Sequence, residues 1–457
     1  MGEKRVAGGE LTASEVSSRI WSLSQVLRDD GIVFHKYMSE LTYLLFLKIA
    51  QQTGRDVEIP ADCQWHALRN HAVSGIVGHY RKMLTALGED APSPLIREIF
   101  GFPTTVFAHD ENLHKVVSGI DEIDWKSVSG TAFGMVYESL LERNATEARS
   151  GAGQYFTPRP LIDCIVRMVA PQAGEIIQDP AAGTGGFLCS ASDYLAKSAS
   201  GAPARFEGVE IERDTYRLCL MNFFLHTMDG LVVHGDALTH DADVLARPDV
   251  VLANPPFGSA AGGARAKRAD LPFPTSNKQL MFLQHIYRSL KDGGRAAVIV
   301  PDNVLFESGI GRRVRQDLMA ECDLHTLLRL PQGIFYAQSI NTNVLFFTKG
   351  RPTTATRIFD MRSNSPRFGK RRPVTDDSFV EFEEACAPDR GSGRSDRLRT
   401  VAREEIQANE ESWDILGGPG RPAPSQGDSV NAILAELSLD LRSALERLEA
   451  IEQELTG

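Results

Sequence analysis

The 457-residue sequence is poor in cysteine, with six at positions 63, 164, 189, 219, 322 and 386. They are too few and too widely spaced for a disulfide framework, and no C-x-x-C pair suggests a zinc site, so no metal is expected. Reduced thiols in a cytosol fit this usage. No apolar run approaches the roughly 18–20 residues needed to span a bilayer. The first twenty residues, MGEKRVAGGELTASEVSSRI, lack the apolar stretch of a signal peptide. A cytoplasmic protein with no membrane partner is therefore expected. Basic charge is also in deficit: 49 Lys+Arg against 60 Asp+Glu give a formal net charge of −11. The surface as a whole does not suit unaided binding of nucleic acid, so any DNA contact must be local or shared with a partner. What remains, 42% hydrophobic and 24% charged, excludes collagen-like, globally disordered and coiled-coil-only chains. The length allows roughly two to four domains.

Residues 1–150 read as an N-terminal helical domain. The stretches Ser14 through Leu27, Tyr37–Ile49, Ser74–Leu87 and Ala132–Glu142 repeat apolar residues at three- and four-residue spacing. A Gly/Ser-containing break at Ala148–Gly153 ends this pattern. Short β-branched runs then alternate with helical windows: Glu175–Gln178, Arg205–Val209, Leu231–His234, Asp249–Ala253, Arg295–Pro301, Leu324–Leu330 and Asn343–Thr348. Strands separated by helix-length segments predict a largely parallel sheet covered on both faces, a doubly wound α/β domain over 151–350. The remainder, 351–457, is a polar extension with a basic cluster at Arg362, Arg367, Lys370, Arg371 and Arg372. A Gly/Pro linker at Gly417–Pro424 and an amphipathic terminal helix follow. That helix, capped by Asp428 or Ser429, carries Val430, Leu434, Leu437, Leu441, Leu445, Leu448, Ile451 and Leu455 on one stripe. It either docks on its own domain or forms a coiled-coil contact with another subunit.

In an open parallel sheet, ligands bind outside the carboxyl ends of the strands. The first strand is followed by Asp179-Pro180-Ala181-Ala182-Gly183-Thr184-Gly185-Gly186-Phe187, whose glycines let the backbone turn tightly and approach a ligand. The spacing is neither G-x-G-x-x-G nor that of a phosphate-binding P-loop, and an entrance carboxylate suits a cationic ligand. Glu210 ends the second strand, where a carboxylate can accept both hydroxyl protons of a ribose. Asp236 follows the third and can accept from the exocyclic amine of a purine. Taken singly, each is equally a solvated strand end or a surface turn. The most specific signal is Asn254-Pro255-Pro256-Phe257 after the fourth strand. Two prolines hold the loop stiffly and cannot join a ladder, so the loop is shaped to present an amide and an aromatic ring. An amino group on a nucleobase is a poor nucleophile because its lone pair is delocalised into the ring. If the Asn254 side-chain oxygen and the Pro255 carbonyl accept its protons, the lone pair is freed, while Phe257 stacks on a base flipped from the duplex.

The Asn254–Phe257 loop resembles the catalytic motif of amino-methyltransferases acting on DNA adenine, and Asp179–Phe187 resembles their S-adenosylmethionine loop. The segment Gly153-Gln154-Tyr155-Phe156-Thr157-Pro158-Arg159-Pro160 looks like the cofactor-contacting stretch that precedes the sheet in the gamma motif order. The match extends through Pro274–Leu280, Gly293–Ala297, Pro301–Phe306 and Leu345–Gly350, and is similar to the modification subunit of type I restriction-modification systems. The resemblance implies a Rossmann-like S-adenosylmethionine-dependent methyltransferase core with an N-terminal helical domain and a C-terminal helical tail. Gln154, Tyr155, Phe156, Thr157, Pro158, Arg159, Gly183, Thr184, Gly185, Gly186 and Glu210 would line the cofactor site, with Asp179 near its amino group and Asp236 near its adenine. Asn254, Pro255, Pro256 and Phe257 would hold the target adenine.

The same resemblance implies double-stranded DNA, a specificity subunit, a second copy of the chain and a restriction (motor-nuclease) subunit as partners. Only about a hundred residues follow the core, which leaves little for a target-recognition domain, and the sequence holds no Walker motif for translocation. The clusters Arg265, Lys267, Arg268 and Arg362–Arg372 read either as phosphate contacts or as solvated loops. Three alternatives stand beside this one. They are a stand-alone DNA adenine methyltransferase, a methyltransferase acting on RNA or a glutamine amide, and a non-catalytic scaffold that keeps the fold.

Overall fold

The computed structural model describes residues 11–23, 26, 34–101, 104–128, 136, 139, 157–197, 201–258, 270–335, 340–363, 368–369, 372–386 and 395–415, with the backbone alone at 13–14 and 34–39. Met1–Ser412 form one compact unit and Trp413–Gly457 a second. Gln154, Tyr155, Phe156, Arg265, Lys267, Arg268, Arg367, Lys370, Arg371, the Gly417–Pro424 linker and the terminal helix lie outside the described residues, as does most of the expected helix at Ala132–Glu142.

The first unit is built on one sheet: β1 (Ile176–Asp179), β2 (Arg205–Glu210), β3 (Gly230–His234), β4 (Val250–Ala253), β5 (Arg295–Pro301), β6 (Cys322–Arg329), β7 (Thr342–Lys349), β8 (Ala355–Asp360) and β9 (Leu398–Ala402). Their order is β3-β2-β1-β4-β5-β7-β6-β8-β9. The pairings across β3-β2-β1-β4-β5 are all parallel, and β7 enters antiparallel between β5 and β6. The central strands β4 and β5 are buried along nearly their whole length, as strands covered on both faces must be. The register matters for chemistry. Asp179 pairs with Gly208, so Glu210 lies two residues farther along the carboxyl edge. Gln178 pairs with Val251, which sets Asp179 level with Leu252 and Asn254 two residues beyond.

All seven expected strands are present, each within two residues of its sequence limits. The sheet does not stop near residue 350, however: β8 and β9 extend it to Ala402. Strand β9 is the edge strand and β8 lies between it and β6; both are short, and Arg357 in β8 and Arg399 in β9 interrupt them, so neither carries the continuous apolar run that marks a central strand.

The N-terminal region is helical, with α1 (Ala13–Leu23), α2 (Phe34–Gln52), α3 (Ile76–Glu89) and α4 (Asp110–Asp121) as its longest elements. Helix α4, which lies outside the stretches expected to be helical, buries Leu113, Val116, Val117 and Ile120 at three- and four-residue spacing. Around the sheet run α5 (Arg159–Val169), α6 (Gly186–Ala196), α7 (Arg213–Leu225), α8 (Lys278–Ser289) and α9 (Ile310–Glu321). Pro158 and Pro160 set the start of α5, where proline's fixed φ suits a first turn and its missing N–H is not needed.

Helices α2 and α7 join the two regions. Phe46 meets Phe224 with ring centroids 4.9 Å apart, and the Arg55 guanidinium lies 3.8 Å from the Phe224 ring centre. The Arg217 guanidinium donates to the Gly101 carbonyl and, at 3.4 Å, to the Tyr43 hydroxyl. The helical region and the sheet domain thus share one hydrophobic core. Arg295, at the head of β5, donates to the carbonyls of Val169 and Ala170 at 2.7 and 2.6 Å and pairs with Glu175. It closes the carboxyl end of α5, where a cation offsets the free carbonyls.

Candidate active site

Strand β1 ends in Asp179, which is only 2% exposed. Its Oδ1 accepts from the Ala181 N–H at 2.9 Å. Burial pushes its carboxyl up to about 8, and the nearby Glu210 charge pushes the same way. Glu210, at the end of β2, is also raised, again by burial, although its Oε2 accepts from the Gly183 N–H at 2.9 Å and its Oε1 from the Glu212 N–H at 2.7 Å. Two carboxyl groups held above their ordinary range in one pocket favour a cationic or hydroxyl-bearing ligand that restores what burial removed.

The loop between them is shaped by glycine. Gly183 and Gly185 have φ of +55° and +85°, in the left-handed region where a side chain is strained. A Cβ at Gly185 would sit 3.0 Å from the Cys219 Sγ, and one at Gly208 3.0 Å from the Ala182 Cβ. The Thr184 carbonyl accepts from the Asn222 Nδ2 at 2.8 Å, which ties the loop to α7. Asn222 is fully buried, and its Oδ1 has no hydrogen-bond partner among the described residues. The Gly235 N–H donates to the Glu210 carbonyl at 2.9 Å, setting Asp236 beside the end of β2. Asp236 Oδ1 accepts from the Leu238 N–H at 2.9 Å. Ile211, 57% exposed directly after Glu210, adds an apolar face that sequence reasoning passed over.

Asn254 follows the fully buried β4. Its Nδ2 donates to the Thr157 Oγ1 at 3.0 Å, which fixes the orientation of the amide and directs its carbonyl oxygen to the other side. Thr157, expected among the cofactor contacts, is seen to hold the Asn254 amide. Pro255 is buried, and Phe257 is half-buried against the core. The Gln279 Nε2 donates to the Pro256 carbonyl at 3.2 Å, and the Gly258 carbonyl accepts from the Lys278 N–H at 3.1 Å. The loop is thus fastened to the start of α8, a helix that Asn277 caps by accepting from the N–H groups of Gln279 and Leu280 at 3.0 and 3.3 Å. These bonds use the Pro256 carbonyl, not that of Pro255.

The structure brings together at one carboxyl edge Asp179, Gly183–Gly186, Glu210, Asp236, Asn254–Phe257 and Thr157. Arg159 is engaged otherwise: it pairs with Asp163 at 2.8 Å and Asp193 at 2.7 Å, binding α5 to α6. Arg362, read as a phosphate contact or a solvated residue, is neither. Its guanidinium clamps Asp302 through both nitrogens, at 2.9 and 2.7 Å, and donates to the carbonyls of Leu330 and Thr342. This pair, with Asn343 donating to Asp302 at 2.9 Å, locks the ends of β5, β7 and β8 together. No group of His, Cys, Asp and Glu among the described residues could hold a metal ion.

The profile of the family described as N-6 DNA Methylase matches residues 128–416. The chain is 42% identical over 408 residues to the type I restriction enzyme EcoKI methylase subunit of Escherichia coli strain K12, covering 82% of this chain and 77% of that one. A crystal structure of the EcoKI M protein superposes with a TM-score of 0.54 at 36% identity, over 97% of this chain and 96% of that one. A chain from a study of complex assembly and conformational transition of the type I restriction-modification system gives 0.75 at 26% identity, over 97% of this chain and 99% of that one.

Proposed function

The chain belongs to the N-6 DNA methylase family, alongside the methylase subunits of type I restriction enzymes, and from that premise we propose how its residues perform the reaction. It is an adenine-specific DNA methyltransferase, the modification subunit of a type I restriction-modification system. The observation that carries the residue assignment is the Asn254 amide, oriented by Thr157 in a loop that β4 and α8 hold from both ends.

The cofactor is S-adenosylmethionine, whose sulfonium supplies an electrophilic methyl group. The chain's residues fit it on three counts. Asp179, buried and raised, pairs with the ammonium of the methionine part. Glu210 accepts from the ribose hydroxyls, and Asp236 faces the adenine amine. The Gly183–Gly186 turn is left-handed at Gly183 and Gly185, and a Cβ at Gly183 would meet no atom within 4 Å, so the loop has open space beside it. Gln154, Tyr155, Phe156 and Pro158, from the segment that leads into α5, would supply further cofactor contacts.

On the target side, the Asn254 Oδ1 accepts one proton of the adenine N6 amine and the Pro255 carbonyl accepts the other. Both bonds draw the nitrogen towards tetrahedral geometry and localise its lone pair for attack. Phe257 stacks on the extruded base and offsets part of the unstacking, a few kcal/mol. Alignment of the amine supplies much of the rate. The proton displaced on methylation leaves along these hydrogen bonds to solvent.

Sequence reading of DNA falls to a specificity subunit, consistent with a net charge of −11. A second copy of the chain and a restriction subunit complete the proposed assembly. No helix among the described residues is long and apolar enough to cross a membrane, and the DNA substrate supports a cytoplasmic site of action.

The test is transfer of labelled methyl to DNA by the chain assembled with its specificity subunit, for wild type and Asn254→Ala. The variant is expected to lose about 100-fold or more in turnover, as when one aligned polar group is removed from a transition state, while binding S-adenosylmethionine as wild type does. Unchanged turnover would overturn the assignment of this loop.

A further inference from the structure

Beyond the catalytic loop, the same edge of the sheet carries a surface to which the reaction as described assigns nothing. Strand β5 runs into Asp302 and a short helix, Asn303–Phe306, then turns through Gly309 into α9. This turn leaves two large apolar side chains in solvent, Phe306 at 41% exposed and Ile310 at 36%. Arg312 and Arg313 follow, both exposed. Neither guanidinium forms an ion pair or a hydrogen bond among the described residues, whereas Arg159, Arg217, Arg295, Arg362 and Arg399 are all engaged with carboxylates. Arg313 lies instead over the Phe273 ring, 4.7 Å from its centre.

The turn is joined to the catalytic loop by a short run of polar contacts. Glu307 accepts from the Asn277 Nδ2 at 2.9 Å, Asn277 caps α8, and Gln279 of α8 donates to the Pro256 carbonyl. Phe273 is fixed to the same helix, its N–H donating to the Gln284 Oε1 at 3.0 Å. An apolar pair and two cations without acidic partners are thus tied, through α8, to the loop that takes the extruded base. In a chain of net charge −11, exposed arginines without acidic partners match a polyanion. Apolar side chains beside them match the stacking faces of the neighbouring bases that a flipped nucleotide leaves uncovered.

We propose that the Phe306–Arg313 turn is a DNA-contacting surface, in which Arg312 and Arg313 neutralise backbone phosphates flanking the target adenine and Phe306 and Ile310 lie against the opened base step. This rests on the reading of the chain as a DNA adenine methyltransferase and extends it to residues outside the catalytic and cofactor loops.

The experiment uses the chain assembled with its specificity subunit on duplex DNA containing the target site. Affinity is measured as a function of salt for wild type and for the double variant R312Q/R313Q. Loss of two phosphate contacts is expected to weaken binding at low salt and to flatten the slope of log affinity against log salt by about 2. Phe306→Ala is examined with 2-aminopurine at the target position, and a lower fluorescence gain on binding is expected, together with slower methylation. Unchanged S-adenosylmethionine binding confirms that each variant is folded. A wild-type slope in the double variant, together with wild-type extrusion in Phe306→Ala, would overturn the proposal while methylation by the wild-type complex left the underlying reading intact. So would dissociation of the double variant from the specificity subunit with no change in salt slope, which would make the turn a protein interface. Absence of methyl transfer from the wild-type complex to any DNA would instead refute the underlying reading.

Discussion

The carboxyl of Asp179 makes cofactor affinity depend on pH in a direction that can be worked out beforehand. In the protein without ligand it is pushed up to about 8, so at pH 6 it is almost entirely protonated and neutral. Pairing with the cofactor's ammonium requires the ionised form. If only that form binds, the apparent dissociation constant grows with the factor 1 + 10^(pKa − pH), about 100 at pH 6 and about 2 at pH 8. S-adenosylmethionine should therefore bind about 50-fold more weakly at pH 6 than at pH 8, with up to one proton released per cofactor bound at the lower pH. The sign for stability is the reverse. Because the folded pKa lies above the unfolded one, the ligand-free protein loses stability as pH rises from about 4 to about 8. Titration calorimetry in two buffers of different ionisation enthalpy reads affinity and proton release together. Thermal unfolding without cofactor reads the stability term. An affinity that is flat between pH 6 and pH 8, with no proton released, would refute the pairing of Asp179 with the ammonium.

Thr157→Val removes the acceptor of the Asn254 amide N–H and frees the amide to rotate. Turnover should fall about tenfold with S-adenosylmethionine affinity nearly unchanged, the net worth of about one hydrogen bond, while Thr157→Ser restores most of it. Single-turnover methylation measures this, and a loss confined to cofactor binding would show that Thr157 does not act through Asn254. Phe224→Ala empties the seat between α2 and α7 and should destabilise the protein by about 3–5 kcal/mol. A denaturant midpoint indistinguishable from wild type would show that Phe46 and Arg55 draw no support from that ring.

The central strands were legible in the sequence because each is a buried run of Val, Ile, Leu and Ala bounded by Gly, Pro or Asp. The Asn254–Phe257 loop stood out because paired prolines are costly where a fourth strand should simply end. Contacts were not legible. Asn222 holds the Thr184 carbonyl across 38 residues, and Thr157 meets Asn254 across 97, and no spacing rule connects them. Arg362 misled for a related reason. A basic cluster looks alike in sequence whether its members face solvent or a buried carboxylate, and only the sheet order, which sets the end of β8 near the ends of β5 and β7, brings Asp302 to it. Strands β8 and β9 escaped notice because each is short and broken by an arginine, Arg357 and Arg399.

The bond between Thr157 and Asn254 has a mechanical side. Thr157 stands just ahead of α5, at the end of the stretch assigned to the methyl donor, whereas Asn254 belongs to the loop assigned to the acceptor. One short strut thus spans both halves of the reaction. The head of α5 and the end of β4 are therefore joined by a side-chain bond, 3.0 Å long, between two residues that lie far apart in the chain.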